Sequence, residues 1–203
     1  MKLLYVTERS ALGNDAFETV LESLEGANGL LVELRERGTT DREMLRWAGV
    51  ARERLGSAVP LLVNRRLDVA LASGADGVHL PADGLPVSRV RAASPRGWRV
   101  GRSTHSPEEA VRAIEERADV VVIGPVFETP SKASSGPPLG TGSLAALPAL
   151  RTHGAEVFAI GGIDESRLED LVRFGDRISG VAGIRLVQEA RDPRALVERI
   201  ARL

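Results

Sequence analysis

The segment Ser103-Thr104-His105-Ser106-Pro107 sets two hydroxyls and an imidazole immediately ahead of a helix start. The positive end of a helix disfavours imidazolium, so His105 there can stay neutral, take up a proton and return it elsewhere. A loop histidine hydrogen-bonded for structure alone is the equally weighted reading. Gly161-Gly162-Ile163-Asp164 and Gly183-Ile184 are a second group. Glycine lets backbone N–H groups approach phosphate oxygens closely, although tight turns would also account for it. Cations and amides form the third group. Arg35 and Arg37 alternate at the end of one apolar run, and Asn64-Arg65 end another. Thr129, Ser131 and Lys132 share one loop, and Lys132 stands out because only Lys2 and Lys132 among 27 basic residues are lysine. The plainer reading of these cations is that they are solvated. Together the three groups describe a site for a small phosphorylated anion, with a proton-transfer residue beside it.

Such residues need elements that bring them to one place. Short β-rich runs alternate with helical patterns throughout. Strands are expected at 2–7, 29–35, 60–64, 77–80, 99–104, 119–124, 156–162 and 180–185. Helices are expected at 15–25, 41–55, 66–73, 86–93, 107–117, 143–153, 165–174 and 193–203. Thr40-Asp41-Arg42-Glu43 and Ser106-Pro107-Glu108-Glu109 have the capping-box form, and Asp164 is a third candidate cap. Gly74 and Gly154 stand where helices should stop. Eight strands alternating with eight helices predict an α/β fold, a single-domain TIM (β/α)₈ barrel over residues 1–203. The residues following each strand then share one mouth: Thr7 and Arg9, Arg35 and Arg37, Asn64 and Arg65, His79 and Asp83, and the later loops. An open doubly wound sheet is disfavoured because no G-x-G-x-x-G follows the first strand. The long irregular stretch at 125–142 has the length of a functional loop. His79 is expected to hold structure at the mouth, His153 to lie on the surface, and Trp47 and Trp98 to pack.

Composition excludes several classes. The chain is 43% hydrophobic and 27% charged, and its net charge of −1 supplies no global field for nucleic acid or membrane. The absence of cysteine removes disulfides, thiolate metal sites and a thiol nucleophile. No stretch has the length and apolarity of a membrane span or a signal peptide, so the cytoplasm is the expected location. Homodimers are the commonest oligomers, but no contact face can be read from the residues.

Five ordered motifs carry a family resemblance. They are Glu33-Leu34-Arg35-Glu36-Arg37, Gly74-Ala75-Asp76-Gly77-Val78-His79-Leu80, Gly101-Arg102-Ser103-Thr104-His105-Ser106, Gly124 to Lys132, and Ala159-Ile160-Gly161-Gly162-Ile163. Over essentially the whole chain they resemble the thiamine phosphate synthase/TenI family. That family implies one of two activities. The synthase joins a hydroxymethylpyrimidine diphosphate to a thiazole phosphate using Mg²⁺. The TenI-type thiazole tautomerase aromatises a carboxythiazole phosphate by moving a proton without metal.

The synthase pattern has Gln at the position of Glu33 and Lys at that of Arg37. It has a metal-binding Asp at Arg65, and Gly-Gln-x-Asp where this chain reads Pro81-Ala82-Asp83-Gly84. A guanidinium in a Mg²⁺ shell is electrostatically wrong. The thiazole phosphate side, from Ser103-Thr104-His105 through the 129–132 loop to the glycines, matches. The expectation is therefore an isomerase, a metal-free thiazole tautomerase of thiamine biosynthesis. In it His105 is the catalytic proton carrier and the partner is a small phosphorylated thiazole. Arg35, Arg37, Asn64, Ser103, Thr104, Thr129, Ser131, Lys132, Gly162, Gly183 and Ile184 bind substrate. Two alternatives stand beside it: a synthase, with Mg²⁺, and a non-catalytic barrel that binds a phosphorylated ligand.

Overall fold

The computed structural model describes residues 1–129 and 137–203. Eight parallel strands close into a barrel in chain order: β1 Lys2–Val6, β2 Leu30–Leu34, β3 Leu61–Asn64, β4 Gly77–Leu80, β5 Arg99–Thr104, β6 Val120–Ile123, β7 Glu156–Ile160 and β8 Gly180–Gly183. β8 returns to β1, pairing Tyr5 with Gly183 and so leaving the sheet without an edge. The expected TIM barrel is the observed fold.

Nine α-helices occur among the described residues: α1 Asn14–Ser23, α2 Asp41–Leu55, α3 Leu67–Ser73, α4 Val87–Ala93, α5 Pro107–Glu115, α6 Gly142–Ala145, α7 Leu168–Val172, α8 Arg185–Gln188 and α9 Pro193–Arg202. None is long and apolar enough to cross a membrane. α2 starts where the sequence places it. Thr40 Oγ1 accepts from the Glu43 N–H at 3.3 Å, and Glu43 Oε2 accepts from the Thr40 N–H at 2.9 Å. Its apolar face, Met44, Trp47, Ala48, Ala51 and Leu55, is buried against the barrel wall. Gly74 closes α3 in the left-handed conformation.

The expected helix at 143–153 is broken instead. α6 is one turn long, and after Pro148 only a 3₁₀ turn, Leu150–Thr152, follows. Proline lacks the N–H that would continue the ladder and restricts the residue before it. Gly154 therefore ends no α-helix. His153 is half-buried rather than exposed, its Nδ1 accepting from the Ala155 N–H at 3.2 Å.

The core has two compartments, as alternation along covered strands requires. One set of apolar side chains lies between strands and helices, including Leu3, Tyr5, Val32, Val63, Val121 and Val181. The other fills the barrel itself: Leu4, Val6, Leu31, Leu62, Val120, Val122, Phe158 and Ala182. At the strands' starting ends Lys2 Nζ meets Glu156 Oε1 at 2.6 Å, and Arg99 Nη1 lies 3.5 Å from Glu156 Oε2. At the opposite, C-terminal ends of the strands the filling stops and a mouth opens.

Candidate active site at the barrel mouth

A cavity of about 1380 Å³ occupies that mouth. Its walls include Arg35, Arg37, Asn64, Ser103, Thr104, His105, Thr129, Gly162, Gly183 and Ile184. The residues expected from the sequence to bind substrate are thus brought together wherever they are described. Ser131 and Lys132 lie outside the described residues. Thr7 and Arg9 face elsewhere. Thr7 is fully buried and donates to Glu36 Oε1 at 2.6 Å, and the Arg9 guanidinium lies over the Trp47 ring at 4.7 Å. Glu36 also accepts from the Arg9 N–H at 2.9 Å. Burial raises its carboxyl pKa, against the opposing hydrogen bonds.

One half of the mouth, β2 to β5, is built from polar side chains. Glu33 is almost fully buried and accepts from Asn64 Nδ2 at 2.7 Å. Behind them His79, with no exposed surface, places Nε2 2.9 Å from Ser103 Oγ and Nδ1 3.9 Å from Glu33 Oε2. Burial chiefly lowers the His79 pKa, with Glu33 opposing, so the imidazole is neutral near pH 7. Gly101 makes room for it, since a Cβ there would stand 2.3 Å from His79 Nδ1. His79 was expected to hold structure at the mouth, whereas Glu33 was not among the expected site residues. The signal for Glu33 lay in its inward register on β2, with β3 between it and His79 on β4.

Arg35 and Arg37 end this half. Among the described residues neither has an ion-pair partner within 4.0 Å, and burial followed by the charge of Arg37 lowers the Arg35 pKa. A guanidinium remains charged under such perturbation, so the pair is poised for an anion.

His105 sits on the rim. Its Nδ1 lies 2.7 Å from the Gly124 carbonyl, which only a protonated nitrogen can satisfy, so that in the neutral tautomer Nε2 is the acceptor. The capping box ahead of α5 is shifted. Ser106 Oγ accepts from the Glu109 N–H at 3.2 Å, while the Glu109 carboxylate accepts from the His105 N–H at 2.7 Å. Thr104 is buried and donates to the Val122 carbonyl at 3.1 Å.

The other half, β6 to β8, offers apolar side chains and glycine backbone. Gly162 has φ 63°, and a Cβ there would stand 2.3 Å from the Glu128 carbonyl oxygen. Backbone strain and loop packing therefore already require glycine. Neither glycine turn runs into a long helix whose dipole would add to phosphate binding. Asp164 caps only a 3₁₀ turn, Glu165–Arg167, ahead of α7, and α8 spans four residues. What the sequence reading missed is Arg185, in the first turn of α8, whose Nη2 reaches Thr129 Oγ1 at 3.4 Å. Arg167 braces the loop, donating to the Gly162 carbonyl at 2.5 Å and lying 4.6 Å from the centre of the Phe127 ring.

Magnesium is the cation that a synthase would imply, and the donor set can be tested for it. Mg²⁺ takes oxygens, usually carboxylates together with substrate phosphate. At the ends of β3 and β4 the mouth presents Arg65 and Asp83, joined Nη2 to Oδ1 at 3.6 Å. Among the described residues no three His, Cys, Asp or Glu side chains cluster as metal ligands. A cation stands where a ligand is needed. These residues do not fit Mg²⁺.

Comparisons with known proteins bear on the choice of activity. A family described as thiamine monophosphate synthase matches residues 3–187. A thiamine-phosphate synthase of Methanoculleus marisnigri is 40% identical, the alignment covering 98% of this chain and 95% of that one. Another, of Chloroflexus aurantiacus, is 33% identical over 100% and 92%. Among solved structures, thiamine phosphate pyrophosphorylase from Pyrococcus furiosus superposes with a TM-score of 0.77 at 27% identity, covering 98% and 93%. A 3-hexulose-6-phosphate synthase, 18% identical with a TM-score of 0.66, shares the fold alone.

These relatives overturn the expected isomerase. The thiazole tautomerase reading, with His105 as proton carrier, took the loss of a metal carboxylate at Arg65 to mean loss of the synthase. Relatives bearing the synthase name match nearly the whole chain, and nothing among them points to the TenI tautomerase branch. By the extent of that match, the chain belongs to the thiamine monophosphate synthase family.

Proposed function

We propose that this protein is a thiamine-phosphate synthase, a transferase that joins a hydroxymethylpyrimidine diphosphate to a thiazole phosphate and releases pyrophosphate. The observation that carries the reading is the 40% identity to a synthase across 98% of the chain. The site agrees with it in having cationic groups at both sides of one cavity, as two phosphorylated substrates require. On the β2–β5 side Arg35 and Arg37 hold the diphosphate, and Asn64 and Ser103 meet the ring that carries it. On the β6–β8 side Gly162, Gly183 and Ile184 present backbone to the thiazole phosphate, with Thr129 and Arg185 beside them.

The bond to the thiazole forms as the carbon–oxygen bond to the diphosphate breaks, and the electron pair leaves with pyrophosphate. Fixed guanidinium donors stabilise the charge that develops there. Holding the two rings in contact supplies the rest, since orientation converts a bimolecular encounter into an intramolecular step. No carbon-bound proton has to move. His105 accordingly serves as a hydrogen-bond acceptor that positions substrate, through Nε2. We place the reaction in the cytoplasm, on a single domain spanning residues 1–203.

The test is direct. Purified protein with both substrates should form thiamine phosphate and release one pyrophosphate per product. Absence of product, both with Mg²⁺ and with EDTA, would overturn the reading.

A further inference from the structure

Arg65 raises a question that the family's chemistry leaves open. It follows β3 with φ 62°, in the left-handed region unusual for a residue with a side chain, and its N–H donates to the His79 carbonyl at 2.8 Å. That backbone turn sets the side chain on the wall of the same cavity as Arg35 and Arg37. Its partner Asp83 stands 3.6 Å away, and the two side chains are 58% and 76% exposed. An ion pair that open is screened by water and holds its partners weakly. Arg65 can therefore leave Asp83 for a stronger anion at little cost.

Charge arithmetic shows what the substitution does. In the synthase pattern two carboxylates and one Mg²⁺ sum to zero before substrate arrives. Here Arg65 and Asp83 also sum to zero. At this pair of positions a guanidinium fixed to the chain takes the place of a diffusible cation. Guanidinium also matches phosphate geometry, donating two parallel N–H bonds.

We propose that Arg65 occupies the place of the divalent cation, so that this protein binds the diphosphate group, and lets pyrophosphate depart, without Mg²⁺. Arg65 donates to the departing oxygens as the carbon–oxygen bond breaks and its electron pair moves onto pyrophosphate. Asp83 takes the guanidinium back when the anion leaves. The diphosphate assignment rests on the synthase reading, whereas binding of the anion by Arg65 can be measured without turnover.

The experiment is calorimetric titration of the intact protein with inorganic pyrophosphate, in EDTA and again in Mg²⁺. Wild type is expected to bind in EDTA. Arg65→Asn keeps a residue suited to positive φ and removes the charge, and should weaken binding about ten- to a hundredfold. Arg65→Lys should retain most of the affinity, and matching circular dichroism would exclude misfolding as the cause. Wild-type binding that requires Mg²⁺, or an Arg65→Asn variant that binds as tightly as wild type, would overturn the proposal. Failure of the synthase reading reads out separately, as pyrophosphate binding in EDTA without product from the two substrates.

Discussion

The two halves of the barrel mouth solve recognition differently. Between β2 and β5 the inward positions carry Glu33, Asn64, His79 and Ser103, a connected polar set backed by a neutral buried imidazole. Between β6 and β8 the equivalent layer is Val122, Ile160 and Ala182, and the polar work passes to loop backbone. A side-chain half is set by register, because each group reaches its neighbour only through strand pairing: Asn64 stands opposite His79, and His79 opposite Gly101. A backbone half is set by conformation, and depends on glycine at Gly162. The first half should therefore be sensitive to the chemistry of substitutions, and the second to their bulk.

The largest effect should come from the side-chain half. Replacing Arg35 and Arg37 together by Gln should lower kcat/KM for the pyrimidine diphosphate by about 10³-fold, since both donors face developing charge. A KM change confined to the thiazole phosphate would reverse the assignment of the two sides. Next, Gly162→Ala forces a side chain into a left-handed position and against the Glu128 carbonyl. Its cost should be about 1–3 kcal/mol of stability, read by denaturant melts, with KM rising for the thiazole phosphate. Equal stability to wild type would mean that the loop adjusts freely and that the halves are not so different.

His105→Gln should cost at most about tenfold in kcat, because its task is to accept a hydrogen bond. A loss of about 10² or more, with a changed pH profile, would restore proton transfer at the rim.

The smallest effect concerns pH. Burial lowers the His79 pKa below its ordinary 6.5, so the unfolded chain binds a proton that the folded protein refuses. Stability from this source is full above pH 6.5 and is lost as pH falls below it, by at most about 1.4 kcal/mol per pH unit. His153, whose pKa burial also lowers, adds in the same direction. Glu36, whose pKa is raised, acts oppositely, losing stability as pH rises above its ordinary 4.5. Melts of His79→Gln between pH 5 and 7 should show a shallower slope than wild type.

The fold was legible because barrels announce themselves through alternation, and because local signals such as the Thr40 and Glu43 pair belong to single elements. Arg35, Asn64, Ser103 and the glycine loops were legible for the same reason, each standing at a strand's end. The contact of His79 with Ser103 near Glu33 was not, since those residues are 24 and 46 positions from His79 and meet only once the register is set. Helix α8 escaped because one turn is too short to show a period, which concealed Arg185. The activity was misjudged at Arg65. A lost carboxylate looked like a lost reaction, although the arginine that replaces it is paired with Asp83 on the cavity wall.

The salt-bridged floor of Lys2, Arg99 and Glu156 has a bearing on traffic. With that floor in place and Leu4, Leu62 and Phe158 packed above it, the barrel interior is filled between its base and its mouth. For the proposed synthase reaction, two substrates and two products then share one doorway. In that reaction pyrophosphate would have to clear the mouth before the next diphosphate settles, so accumulating product should queue at the same door and slow turnover.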